Sequence, residues 1–83
     1  MNNDEFIPTT VKEVFDDIKD TEYGKVEKVI LNGRGLDKFF SSPLEFETWL
    51  NNNPDIAKSR YEVGKKTKLG NYITMIITIS EEE

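Results

Sequence analysis

Four carboxylates, Glu13, Asp16, Asp17 and Asp20, crowd one short stretch of the chain. At about 100° per residue of helix they fall within an arc of about 100°, opposite Val11, Val14, Phe15 and Ile18. Such a stripe suits one of two tasks, docking on a basic surface or holding a divalent cation. Carboxylates on one regular helix do not converge on an ion without a loop to wrap it. Docking is therefore the expected use, and no metal site is expected. Glu13/Asp17 and Asp16/Asp20 are like-charge i, i+4 pairs, each costing ~0.2–0.5 kcal/mol. Asp17 and Asp20 also sit toward the negative end of the helix dipole. Local rules are broken most often where function requires it. The plainer alternative is a solvated face that keeps an acidic protein soluble. Asp4, Glu5 and Glu22 would extend the patch.

A second constellation is basic. Lys58, Arg60, Lys65, Lys66 and Lys68 lie close together with Tyr61 among them, and residues 58–68 carry a net +4. A basic hairpin with aromatic side chains can follow a phosphate backbone and stack bases. Against that, lysines on an edge strand also block edge-to-edge aggregation. The chain as a whole carries −5, the wrong sign for a typical nucleic-acid binder. Nucleic acid is thus the alternative partner, not the leading one.

Other chemistry finds little material. The 83 residues include no cysteine and no histidine, which removes disulfides, thiolate nucleophiles, Cys/His zinc sites and imidazole catalysis. Asn32-Gly33-Arg34-Gly35 lacks the spacing of a phosphate-binding loop. Glu45 and Glu47, two residues apart, point to different sides of a helix and make no catalytic pair. Ser41 and Ser42 have no histidine to activate them, and every lysine stands in a polar context. No catalytic residue, enzymatic activity or cofactor is expected. No apolar run approaches the ~20 residues of a membrane span. The acidic, polar N-terminus does not read as a secretion signal, so a cytoplasmic location without membrane contact is expected. Nine lysines against two arginines, with eight isoleucines, seven asparagines and a single alanine, suit an AT-rich genome. That composition is compatible with a phage or other mobile element.

The elements that must position these groups follow from periodicity. Residues 1–8 read as an arm that Phe6 and Ile7 pin to the body, and 81–83 as an acidic tail on a single domain spanning 1–83. Thr10 with Glu13 forms a capping box for a helix over 11–20, ended by Gly24. Residues 25–31 are β-branched and short, a strand stopped by Asn32-Gly33. Residues 33–41 stay open between a hairpin, with a strand over 36–40, and a loop that buries Phe39 and Phe40. Ser42, Pro43 and Glu45 start a second helix running to about Asn51, with Phe46, Trp49 and Leu50 on one face. Residues 58–65 and 72–80 are the arms of a C-terminal hairpin around a turn region at 66–71. In its last strand Ile73, Met75, Ile77 and Ile79 share one face. Tyr61 and Val63 are expected to point inward from the preceding arm.

The expected fold is α+β in the order α-β-α-β-β, two helices packed on one face of a short antiparallel sheet ending in that hairpin. The expected function is a non-enzymatic acidic interaction module, an inhibitor or modulator that binds the basic surface of a larger protein by mimicking nucleic acid. Two alternatives stand beside it: a small nucleic-acid-binding domain using 58–68, and a subunit that oligomerises, as a homodimer for instance, through its C-terminal strand.

Overall fold

The computed structural model describes residues 7–22 and 24–81. Expectations for the arm before Ile7, for Asp4 and Glu5 and for the last two residues of the tail lie outside the described residues.

The fold is α+β. Helix α1 (Val11–Thr21) is followed by β1 (Val26–Gly33), β2 (Leu36–Phe40), α2 (Pro43–Asn51), the single turn α3 (Pro54–Ala57), β3 (Tyr61–Leu69) and β4 (Tyr72–Ile79). The strands form one four-stranded sheet in the order β2-β1-β4-β3.

Helix α1 begins where the capping box predicts. The Thr10 hydroxyl accepts from the Glu13 N–H at 3.2 Å, and the Glu13 carboxylate accepts from the Thr10 N–H at 3.3 Å. Its apolar stripe, Val11, Val14, Phe15 and Ile18, is buried. Helix α2 starts with Ser42 accepting from the Glu45 N–H at 3.2 Å and with Pro43 in the first turn, where a missing N–H costs nothing. Phe46 and Leu50 of α2 join the α1 stripe, Val29, Leu31, Phe40, Met75, Ile77 and Ile79 in one core cluster. Phe46 anchors it through edge contacts, with ring centroids 4.9 Å from Phe15 and 5.0 Å from Phe40. Trp49 is only partly buried, at the rim of this cluster, with the Lys38 ammonium 5.7 Å from its ring centroid.

The structure departs from the expected order in several places. Of the two alternatives for residues 33–41 the hairpin holds, with its strand over 36–40, so the order is α-β-β-α-α-β-β once α3 is included. Only Phe40 of the two phenylalanines enters the core, since neighbouring strand residues face opposite ways. The β1–β2 turn falls on Arg34-Gly35, with φ of 52° and 81°, instead of on Asn32-Gly33. Two positive φ values define the twist-matched hairpin turn. Gly33 is kept in the ladder, so close to β4 that a Cβ there would lie 2.7 Å from the Ile79 carbonyl oxygen.

The sheet is mixed, not antiparallel: β1 runs parallel to β4, while both hairpins are antiparallel. The chain between them includes α2 and α3, long enough for the crossover that a parallel pair requires. The last hairpin is tighter than expected. Residues 66–69 belong to β3, and the turn is Gly70-Asn71 alone.

A register shift between Tyr61 and Val63 changes the phase of β3. An extra residue in one strand moves every later side chain to the other side of the sheet. Tyr61 packs against the core, but Val63, expected to point inward, pairs with Thr78 and is exposed. Gly64 takes the inward place instead, opposite Ile77. A Cβ on Gly64 would lie 2.7 Å from Val14 Cγ2, so α1 packs where a side chain would otherwise stand.

Candidate functional site

The four acids of the predicted stripe all lie on α1, away from its buried residues, but they are not equivalent. Glu13 is committed to holding the helix start. Its Oε1 accepts from the Thr9 N–H at 2.9 Å and the Thr9 hydroxyl at 3.0 Å, besides the Thr10 N–H. The Thr9 backbone bond, the largest influence, keeps the Glu13 carboxyl below its ordinary range. Asp16 pairs with Lys12 one turn back at 2.7 Å, a favourable spacing that local helix geometry supplies. Asp17 and Asp20 are exposed and form no ion pair among the described residues.

These two carboxylates are three residues apart on the C-terminal half of the helix, where the dipole already contributes negative potential. Lys19 offers little relief, because it turns to Glu47 of α2 at 3.5 Å and lies over the Phe15 ring, 5.0 Å from its centroid. Glu22, at the helix C-cap, bonds Lys66 of β3, and this bond holds its carboxyl below the usual range. A cleft at this end is lined by Lys19, Asp20, Glu22, Gly24, Val26 and Pro43. Among the described residues no cluster of three or more potential metal ligands occurs.

The basic constellation is taken apart by the sheet. Lys65 pairs with Ile76, whereas Lys66 and Lys68 pair with Met75 and Ile73. Cross-strand partners share a side, so Lys65 lies on one side of the sheet and the other two on the opposite side. Lys58 caps α3, Arg60 bridges to Thr10, and Tyr61 is packed against the core. The six residues therefore do not form one surface. Nor is β4 available for strand addition. It is hydrogen-bonded to β1 on one side and β3 on the other, and the edges of the sheet are β2 and β3.

Sequence reasoning gave no role to the second side of the sheet. Phe39, Ile30, Ile76 and Lys65 form one row across all four strands. Asp37, Asn32, Thr78 and Val63 form the next row, in which the Thr78 hydroxyl donates to Asn32 Oδ1 at 2.7 Å. The alternation in β4 was the available signal: Ile76 is an apolar residue among the outward-facing Tyr72, Thr74 and Thr78.

Comparison with protein-family models, curated proteins and solved structures finds no match for this chain. No helix among the described residues is long and apolar enough to cross a membrane.

Proposed function

We propose that this protein is a non-enzymatic interaction module that binds a basic surface of a larger protein through the outward face of α1. The observation that carries this reading is the pair Asp17 and Asp20, exposed and without ion pairs among the described residues, at the negative end of a helix. Two unneutralised carboxylates there raise the cost of the free helix and lower it when a cation arrives. Opposite potential steers encounter, and a fixed pair of carboxylates sets the register of Lys or Arg on the partner. Asp16 adds charge once Lys12 swings aside, while Glu13 stays with the helix cap.

A partner surface that normally holds DNA or RNA fits this arrangement, because carboxylates on a rigid helix present charge as phosphates do. Binding would then exclude the nucleic acid, which is the action of an inhibitor or modulator. The test compares wild-type protein with Asp17→Lys/Asp20→Lys as immobilised bait in lysate of the source organism, eluted with stepped salt. A basic protein captured by the wild type, released at moderate salt and lost with the variant is the expected result. Equal capture by both baits overturns the reading.

A further inference from the structure

We infer that the second side of the sheet is a docking surface for another copy of this chain. The observation is independent of the acidic helix. Phe39 is 62 % exposed, Val63 40 %, Tyr72 57 % and Leu69 83 %, all on the side of the sheet that also carries Ile30 and Ile76. Apolar side chains gathered on one side of a monomer mark an interaction surface, whereas single exposed ones do not.

Charge selects the occupant. The whole chain carries −5, yet this side presents Lys28 and Lys65 against Asp37 among its strand pairs. A second copy meets least repulsion here, because this side lacks the excess of acids that the chain carries as a whole. The charges are also self-complementary. Asp37 lies on edge strand β2 and Lys65 on edge strand β3. A two-fold axis parallel to the strands lays β2 of one copy over β3 of the other, since the spatial order is β2-β1-β4-β3. Asp37 then comes within one residue row of Lys65 in the second copy, twice by symmetry. The same operation stacks Ile30 on Ile76 at the centre and sets Phe39 against Lys65 and Val63. Sheets stacked this way interdigitate at about 10 Å with a small twist.

Area sets the strength. The strands hold 30 residues. At about 3.3 Å by 4.8 Å each, this side spans on the order of 450–500 Å² per copy. Both copies together bury on the order of 1,000 Å², the lower bound for a specific interface. The dimer is therefore transient, and it forms at high protein concentration.

Sedimentation equilibrium of the full chain from about 10 µM to about 1 mM tests this. The wild-type mass should rise from 9.6 kDa toward twice that value. Phe39→Asp, at an exposed site that folding tolerates, should stay monomeric throughout. Lys65→Asp should weaken association at least ~5-fold, and adding Asp37→Lys should restore it to within ~2-fold, as a reciprocal pair requires. Asp17→Lys/Asp20→Lys should still self-associate, which separates this surface from the one on α1. A wild-type chain monomeric at every concentration, a Phe39→Asp variant that associates normally, or a charge swap without recovery overturns the inference. So does a monomer that binds a single-stranded oligonucleotide in a Phe39-dependent manner, which would give this side to nucleic acid.

Discussion

The Arg34 Nε–H donates to the carbonyl oxygen of Ser80 at 2.6 Å and ties the β1–β2 turn to the end of β4. The same residue donates its backbone N–H to the Glu81 carboxylate at 2.8 Å and Nη1–H to Ser59 Oγ at 3.2 Å. One side chain thus joins three segments that are distant in sequence. It does so from a left-handed backbone, φ 52°, which glycine adopts more readily than any other residue. Hydrogen bonds to a charged donor are each worth about 1.5–3 kcal/mol. Arg34→Ala loses the two side-chain bonds, both part-buried, and should cost about 3 kcal/mol of stability while keeping the backbone strain. Arg34→Gly, which loses the same bonds without the strain, should be more stable than Arg34→Ala by about 1 kcal/mol. Urea unfolding of the two variants checks the order.

Gly64 answers to a close approach, not to its backbone angle. Val14 is β-branched and held in the core, so it cannot swing away from a new Cβ. Gly64→Ala should cost about 1–3 kcal/mol through overpacking. In a Val14→Ala background the same change should cost less, because the clashing methyl is gone. Equal costs in the two backgrounds, read from a double-mutant cycle of thermal unfolding, would refute the contact.

Glu13 and Glu22 titrate below their ordinary value of 4.5 in the folded chain. A depressed folded pKa means that the unfolded chain binds more protons, so stability rises with pH across this range. The contribution is present above about 4.5 and is lost as pH falls through the folded values. Glu13→Gln keeps an acceptor for the Thr9 and Thr10 N–H groups but does not titrate. Urea midpoints measured between about pH 6 and pH 3 should converge for the two proteins as pH falls.

Asp17→Lys/Asp20→Lys should fold normally and be more stable than the wild type. The change removes two i, i+4 repulsions, with Glu13 and with Asp16, and places cations at the negative end of the dipole. Together these gain about 0.5–1.5 kcal/mol, or roughly 3–10 °C in Tm for a domain this small. A lower Tm would mean that the two aspartates support the fold in some other way. A higher one joined to lost partner binding would mark them as retained for function.

Much of the local architecture was legible from neighbouring residues. Thr10 with Glu13 and Ser42 with Pro43 start the helices that they predict, because a cap is satisfied within three residues of itself. The alternation Ile73, Met75, Ile77, Ile79 gives a buried row for the same reason. The sequence also carried a conflict that it did not resolve: Glu13 was required both as cap and as part of a docking stripe. The structure assigns it to the cap through the neighbouring Thr9 and Thr10 N–H groups, leaving Asp17 and Asp20 as the free pair among the described residues.

What the residue order could not express is pairing at a distance. Nothing local distinguishes a parallel β1–β4 ladder from an antiparallel one, since both bury the same apolar residues. The extra residue near Glu62 is visible only against the partner strand, yet it turns Val63 outward and puts Gly64 beneath α1. Period-two alternation then sends Lys65 to one side of the sheet and Lys66 to the other, dividing a basic cluster that looks continuous in the chain. Charge, caps and apolar period are properties of short segments and were determined by sequence alone. Which side of the sheet each group occupies depends on register, and register is decided only when strands far apart in the chain meet.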